Sequence, residues 1–321
     1  MNTKLQPSIT WTQCAELPTE LSEGKTTIIN GKVYCGGGVA ADGYTIYCYE
    51  PSQDKWTPLP PLPVRYFGLG QVNGDLVAVG GTTMTADKRM IQCDNIRSYE
   101  VATYNKQSQR WEWTIPPMPT ARHSPGVLSL QSALVVAGGY TLPDDFASAV
   151  EIFKPDKSQW YRTDPLPVDC YDVSLATTGN TCYMLGGYKE PTNLNQALFA
   201  SVDDLLRNAV PVDQYTHSDT QSAWKTLPNT PTYRPAAAVL AGHLIAVGGN
   251  ETSKGGADKK EVYMYSSITD SWIYISNLPA PLSDISVNVL PSEEIIVVGG
   301  KSTRDGVSLR VNTVYKGTLH Q

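Results

Sequence analysis

The sequence has few of the side chains that most enzymes use for catalysis, and it has no long hydrophobic stretch. Its 321 residues include only four histidines and six cysteines. The cysteines form no Cys-x-x-Cys pair, and HExxH, GxSxG and GxGxxG motifs are all missing. No run approaches the ~18 apolar residues that a membrane-spanning helix needs. We therefore expect no metal, no cofactor, no membrane association and no enzymatic reaction.

Clusters of positive charge are also missing. The chain carries 25 Lys and Arg against 31 Asp and Glu, which gives a formal net charge of −6. An acidic chain without basic runs is a poor candidate for binding nucleic acid. The scattered cysteines lie mostly in apolar, strand-like runs, which is typical of reduced thiols, and the first residues lack the apolar core of a signal peptide. These features favour a cytoplasmic location.

The sequence does contain a repeated motif, a short apolar run that ends in Gly-Gly. The six copies are VYCGGG at 33–38, LVAVGG at 76–81, LVVAGG at 134–139, CYMLGG at 182–187, LIAVGG at 244–249 and IIVVGG at 295–300. A continuous run of this kind indicates a strand that is covered on both faces. Repeats at intervals of about 50 residues indicate an array of small structural units.

An aromatic residue followed seven positions later by tryptophan accompanies four of the copies. The pairs are Tyr49 and Trp56, Tyr104 and Trp111, Phe153 and Trp160, and Tyr265 and Trp272. The fixed spacing predicts a hairpin of constant length, so each unit is predicted to be a four-stranded antiparallel sheet. Six such sheets bury their faces when they pack radially. The predicted fold is therefore all-β, a six-bladed propeller.

The two ends of the chain together account for all four strands of the sixth unit. The sixth unit reaches Tyr315 and has no following tryptophan, whereas Trp11 precedes the first unit. We expect the N-terminal strand around Trp11 to be the fourth strand of the last blade. The predicted organisation is a disordered tail at 1–8 and a single propeller at 9–318.

Blade 4 departs from the repeat, because 25 residues separate Phe199 from Trp224. The insertion, at about 201–220, contains SVDDLLRNAV at 201–210, in which apolar residues recur at helical spacing. We expect a short helix there. It either packs on the edge of the propeller or serves as a docking element for a partner.

The order Gly-Gly, Tyr, Trp and a proline-bearing segment resembles the kelch repeat over nearly the whole chain. The resemblance implies a protein-interaction module that carries out no chemical reaction. In the kelch propellers of ubiquitin-ligase adaptors, which follow a BTB domain, arginines that precede the first strand of a blade hold acidic peptide segments. The resemblance thus implies a substrate-recognition domain of a larger adaptor.

The residues that would line the central funnel follow from the repeat. Counting back 15 positions from the first Gly of each pair gives Ser22, Arg65, His123, Tyr171, Tyr233 and Asp284, and the neighbouring residues Tyr66, Arg122 and Arg234 join them. Arginine and tyrosine suit the recognition of carboxylates and of peptides. We expect this funnel to bind a peptide or protein loop with acidic residues, and the isolated domain to be monomeric.

Three other interpretations stay open. The arginines could instead bridge neighbouring blades through backbone carbonyls. The propeller could be a metal-dependent enzyme similar to the plant specifier proteins, although their E-x-x-x-D-x-x-x-H spacing is missing. It could also be a structural scaffold, for instance on the cytoskeleton. The blade-2 loop at 82–95 is a further candidate contact surface.

Overall fold

The structure is a computed structural model that describes residues 6–41, 43–83, 99–141, 145–189, 191–215 and 222–320. Six antiparallel sheets form the blades of a propeller ring, which confirms the predicted fold. No helix in these described ranges is long and apolar enough to cross a membrane.

The strands are numbered in chain order, and each blade is given from its inner to its outer strand. The first strand of the chain, β1 (Ser8–Gln13), lies in blade 6. Blade 1 contains β2 (Lys25–Ile29), β3 (Lys32–Gly36), β4 (Tyr47–Glu50) and β5 (Lys55–Pro58). Blade 2 contains β6 (Gly68–Val72), β7 (Asp75–Val79), β8 (Val101–Asn105) and β9 (Arg110–Glu112). Blade 3 contains β10 (Gly126–Ser129), β11 (Leu134–Ala137), β14 (Val150–Lys154) and β15 (Gln159–Thr163).

The remaining blades follow the same order. Blade 4 contains β16 (Ser174–Thr178), β17 (Thr181–Leu185), β20 (Ala197–Ser201) and β22 (Lys225–Leu227). Blade 5 contains β23 (Ala236–Leu240), β24 (His243–Val247), β27 (Glu261–Ser266) and β28 (Ser271–Asn277). Blade 6 contains β29 (Ser286–Val289), β30 (Glu294–Val298), β33 (Val314–His320) and β1.

Short hairpins extend the second-to-third-strand connections of blades 3 to 6. They are β12 (Tyr140–Thr141) with β13 (Asp145–Phe146), β18 (Tyr188–Lys189) with β19 (Thr192–Asn193), β25 (Asn250–Thr252) with β26 (Gly255–Asp258), and β31 (Lys301–Arg304) with β32 (Val307–Arg310). We call the side of the ring that carries these connections the loop face.

The aromatic–tryptophan pairs hold each blade to the blade before it. Tyr49 lies directly opposite Trp56 in the β4–β5 hairpin, with ring centroids 4.8 Å apart. The Trp56 indole N–H donates to the carbonyl of Ala15, which precedes the blade, at 2.9 Å. Trp111, Trp160 and Trp272 donate in the same way to Pro60, Pro116 and Pro228, at 2.7, 2.7 and 2.8 Å. The spacing of seven therefore marks a hydrogen bond between neighbouring blades.

Trp11 and Trp224, which are the tryptophans of blades 6 and 4 and lie outside that spacing, lack this hydrogen bond. The indole nitrogens of Trp11 and Trp224 are buried without an acceptor among the described residues. Trp11 belongs to β1, which closes the ring by pairing antiparallel with β33, from Ser8 opposite His320 to Gln13 opposite Tyr315. This pairing confirms the predicted closure of blade 6 by the N-terminal strand.

The Gly-Gly pairs lie where the second strand meets the neighbouring blade. Gly138 has φ +65°, and a Cβ placed there would lie 2.6 Å from the carbonyl oxygen of Cys170 in the linker to blade 4. A side chain cannot fit at that distance, so the close packing of blades requires glycine here.

The blade-4 insertion packs against blade 3. Helix α1 (Val202–Asn208) begins after Ser201, whose hydroxyl caps the helix by accepting from the Asp204 N–H. Leu205 is buried, and the following strand β21 (Val210–Pro211) pairs with β15 as a fifth strand of blade 3. A 3-10 turn follows at Val212–Gln214. Residues 216–220 of the predicted insertion lie outside the described ranges.

Candidate functional site

Each inner strand is preceded by a residue that pairs with the chain just after the Gly pair. We call these residues the leading positions. They form antiparallel bridges between Ser22 and Val39, Arg65 and Thr82, His123 and Tyr140, Tyr171 and Tyr188, Tyr233 and Asn250, and Ser283 and Lys301. Counting from the sequence gives five of these positions. In blade 6 the equivalent residue is Ser283, one position before Asp284. All six leading positions therefore lie on the loop face.

The residue after each leading position forms a ring around the axis. This axial ring consists of Glu23, Tyr66, Ser124, Asp172, Arg234 and Asp284, whose φ angles lie between 49° and 58°. Backbone hydrogen bonds link its members, for example from Asp172 N–H to Ser124 O at 3.0 Å. A left-handed backbone costs a non-glycine residue of the order of 1 kcal/mol, and such residues concentrate at functional sites.

Four of the six residues of the axial ring belong to an ion-pair network. Arg234 lies 3.2 Å from Asp172 Oδ2 and 3.1 Å from Asp284 Oδ1. Lys301 Nζ lies 2.8 Å from Asp284 Oδ2, and Lys25 Nζ lies 3.0 Å from Asp172 Oδ1. We call these residues, together with Glu23, the axial ion cluster. The charge of Arg234 is thus balanced inside the protein, and no guanidinium is left there for a partner's carboxylate.

Burial and neighbouring charges act in opposite directions within the cluster. Burial would lower the pKa of Arg234, but the carboxylates of Asp284, Asp172 and Glu23 outweigh it and raise that pKa. Burial would raise the pKa of Asp284, but Arg234 and Lys301 lower it. The pKa of Glu23 is raised, first by burial and then by Asp172 and Asp284. Glu23 therefore gains a proton more readily than an ordinary glutamate.

The loop face also carries a row of aromatic rings. His123 stacks on Tyr140 with centroids 5.0 Å apart and lies 5.7 Å from Tyr66. Tyr171 meets Tyr140 edge-on at 5.9 Å and Tyr188 at 5.2 Å. We call these five residues the aromatic stripe. It joins blades 2, 3 and 4 and provides a rigid surface suited to contacts with apolar and planar groups.

His123 is neutral at physiological pH. Burial lowers its pKa to about 4, and the charge of Asp172 only partly opposes this shift. Its Nδ1 lies 3.1 Å from the Ser124 hydroxyl. The side chain therefore acts as an aromatic ring with a hydrogen-bonding edge, and it carries no charge for a partner to read.

The buried histidine predicts a loss of stability in acid. Because its folded pKa of about 4 lies below the ordinary value of 6.5, the unfolded state binds the proton more tightly between these limits. Stability is lost as the pH falls from about 6.5 toward 4, and the loss from this group between pH 7 and pH 5 is about 2 kcal/mol. Urea unfolding at both pH values measures it. In His123→Phe this part of the pH dependence should disappear, and an unchanged dependence would contradict the assignment.

Arg65 has the most accessible guanidinium of the three arginines predicted to line the funnel. It stacks over the Tyr44 ring at 4.4 Å and reaches the carbonyls of Ala40 and Ala41 at 3.5 and 3.4 Å. Its Nε is buried and has no acceptor among the described residues. Within the same part of the chain Arg65 has no carboxylate partner, so among the described residues nothing of opposite charge pairs with it at the loop face.

Arg122 does not lie on the funnel surface, contrary to the prediction from sequence. Its side chain is 0% exposed and pairs with Glu151 Oε2 at 2.8 Å. It also donates to the carbonyls of Gly138 and Ala149, at 2.7 and 3.0 Å. Arg122 thus holds the Gly pair of its own blade in place. This resembles the alternative interpretation, in which the arginines bind backbone carbonyls, except that the carbonyls belong to the same blade and not to a neighbouring one. Ser22 is also fully buried, whereas Tyr233 is half-buried at the loop face.

Behind the axial ring lies a polar channel of about 390 Å³, lined by the inner strands. Thr26 and Ser286 share a hydrogen bond of 2.8 Å in its wall, and the Ser174 hydroxyl accepts from the Ala237 N–H at 2.8 Å. The axial ion cluster contributes to the lining at the loop face. The described residues contain no group of three His, Cys, Asp or Glu arranged to hold a metal ion.

Sequence reasoning missed four members of the axial ion cluster: Glu23, Lys25, Asp172 and Lys301. Glu23 and Asp172 follow a leading position directly, so shifting the count by one residue would have found these two. Of the predicted blade-2 contact loop, residues 84–95 lie outside the described ranges.

The chain is similar to proteins of one family. Residues 22–63 match the family model described as "Kelch motif". Kelch-like protein terF of Aspergillus terreus is 28% identical over 194 residues, which are 56% of this chain and 41% of that protein. Kelch-like protein 25 of Xenopus tropicalis is 24% identical over 183 residues, 56% of this chain and 31% of that protein.

Two further matches cover more of the chain. Kelch repeat and BTB domain-containing protein 1 of Horsepox virus is 22% identical over 277 residues, 85% of this chain and 43% of that protein. The chain thus spans less than half the length of these three relatives. The solved structure described as "Structure of YjhT" superposes with a TM-score of 0.72 at 15% identity, covering 96% of this chain and 99% of that one. This likeness shows the fold alone.

Proposed function

Since the chain is a kelch-repeat β-propeller, we propose that it is a protein-interaction module that binds a peptide segment of a partner on its loop face. The observation that carries the proposal is Arg65, whose guanidinium has no carboxylate partner among the described residues and stacks on Tyr44 beside the aromatic stripe. Arginine next to tyrosine is the combination that dominates many protein interfaces. We propose no chemical step.

The contacts change the predicted set of binding residues. Arg122 is fully buried and Arg234 is neutralised by Asp172 and Asp284, so neither supplies a free charge. We propose that an acidic residue of the partner pairs with Arg65, and that apolar or aromatic residues next to it pack on the aromatic stripe. Arg234 of the axial ion cluster lies over the Tyr188 ring of the stripe, 5.7 Å from its centroid.

Relatives of this chain include a protein whose name combines kelch repeats with a BTB domain. We therefore extend the proposal to a substrate-recognition role in a larger adaptor. We place this role in the cytoplasm, in keeping with the free thiols of Cys14, Cys35, Cys48, Cys170 and Cys182. No contact among the described residues favours the metal-dependent or the scaffold alternative, and we propose neither.

A peptide-display selection on the purified chain, followed by affinity measurement, tests the proposal. Enriched peptides should contain acidic residues beside apolar ones, and Arg65→Glu should weaken their binding at least tenfold, which is about 1.4 kcal/mol. Arg110→Glu is the matched control, because Arg110 is an exposed arginine on outer strand β9. Failure to enrich any peptide, or equal binding by the Arg65 and Arg110 variants, would contradict binding at this site.

A further inference from the structure

The β31–β32 hairpin of blade 6 projects from the loop face and is the most exposed of the four short hairpins that the structure describes there. Its turn has Asp305 at φ 50° and Gly306 at φ 76°, as expected for a tight two-residue hairpin turn. Every residue from 303 to 310 is exposed. Among the described strands, β32 pairs with β31 alone. One edge of this small sheet is therefore open.

The direction of the backbone groups on that edge follows from the pairing. Lys301 exchanges both backbone hydrogen bonds with Ser283, at 3.0 and 2.7 Å, so its N–H and C=O point away from β32. Backbone groups alternate along a strand, and Lys301 lies opposite Arg310. The N–H and C=O groups of Ser308 and Arg310 consequently point outward from the hairpin. An edge of this kind can accept another strand.

The side chains on the same strand are apolar on one face. Val307 is 57% exposed and Leu309 is 50% exposed, and they are two residues apart, so both project on one side of β32. Exposed apolar side chains beside outward-pointing backbone groups indicate a binding surface. Its partner would be an extended strand with apolar residues at alternate positions.

We propose that β32 pairs antiparallel with β32 of a second copy of this chain, around a two-fold axis at Ser308. In this register the outward-pointing Ser308 meets its own copy and forms two backbone hydrogen bonds. Val307 lies opposite Leu309 of the other copy, so four apolar side chains come together. Arg310 lies opposite Gly306 of the other copy, next to the acidic Asp305. The edge is thus complementary to itself in hydrogen bonding, apolarity and charge.

This interface is small. A single four-residue strand on each side falls well short of the ~1,200 Å² that stable interfaces bury in total, so the dimer is expected to be weak and dependent on concentration. It departs from the monomeric state expected from the sequence. The pairing edge lies on blade 6, whereas the proposed peptide site at Arg65 and the aromatic stripe lies on blades 1 to 4.

Sedimentation equilibrium of the full chain from ~10 to ~500 μM tests the pairing by mass action. The weight-average mass should rise from that of the monomer toward that of the dimer. Leu309→Lys should lower the association constant at least tenfold. Ile268→Lys is the matched control, because Ile268 is an exposed apolar residue, 95% exposed, on a turn of blade 5, and it should leave the association unchanged.

A second variant separates edge pairing from a general loss of apolar surface. Ser308→Pro removes an outward N–H while sparing the hydrogen bonds within the hairpin, so it should abolish association without changing the melting temperature. A chain that stays monomeric at the highest concentration would overturn the proposal and leave the edge to a strand of another protein. Association that survives both Leu309→Lys and Ser308→Pro would overturn it as well.

Discussion

Val79→Asp is expected to leave no soluble, folded protein. Val79 ends strand β7, is 0% exposed, and packs with Val77, Leu134 and Val136 in the apolar cluster between blades 2 and 3. A carboxylate placed there has no cation within this cluster, and burying an unpaired charge costs several kcal/mol. Because a folded domain is stable by only about 5–15 kcal/mol, the substitution should remove most or all of that margin.

The measurement is the soluble fraction on expression, together with the β-sheet circular dichroism of any soluble protein. Val79→Ala is the matched control at the same position. It removes two methyl groups and should cost about 2 kcal/mol, which leaves the protein folded. A Val79→Asp variant that is soluble and folded would mean that β7 does not lie between two blades.

The fold could be predicted because its signals are local in the sequence. A second strand such as β7 is covered on both faces by neighbouring sheets, so it needs an unbroken apolar run and a terminal Gly-Gly. The spacing of Tyr49 and Trp56 depends only on the length of one hairpin, in which the two residues lie opposite each other. Six repetitions of these patterns specify the blades and leave the strand around Trp11 for ring closure.

The candidate site was harder to predict because its contacts join distant parts of the chain. Arg65 occupies a leading position and Arg234 follows one, and no local pattern shows that Arg234 reaches Asp172, 62 residues earlier. Among the described residues Arg65 instead meets the Tyr44 ring and the carbonyls of Ala40 and Ala41. Glu23 and Tyr66 have a left-handed φ although neither is a glycine, so the sequence does not reveal this conformation. Which arginine keeps a free charge therefore depends on packing between blades, which no local pattern records.

The second large effect is expected for Arg122→Met, which should lower the free energy of unfolding by about 3 kcal/mol. The substitution removes the ion pair with Glu151, whose side chain is 0% exposed, and the hydrogen bonds to the Gly138 and Ala149 carbonyls. This loss of unfolding free energy is at the lower end of the range for breaking a buried ion pair, because Arg162 remains 2.6 Å from Glu151 Oε1 as a second cation. Urea unfolding measures it, and Arg110→Met is the exposed control.

A double-mutant cycle with Glu151→Gln distinguishes an internal pair from two independent residues. If Arg122 and Glu151 stabilise the blade together, the double variant should be less destabilised than the sum of the two single variants, by at least 1 kcal/mol. Additive losses would mean that the two side chains act separately.

The Arg122→Met variant also tests whether Arg122 contacts the bound peptide. Because its guanidinium is enclosed, Arg122→Met should alter peptide affinity only as far as it unfolds the protein, so affinity per folded molecule should match that of the parent chain. Arg65→Glu should show the opposite, with stability kept and affinity lost. If Arg122→Met keeps full stability but loses peptide binding, Arg122 must contact the peptide after all. The two arginines, in corresponding segments of blades 2 and 3, thus separate a contact residue from a structural one by experiment.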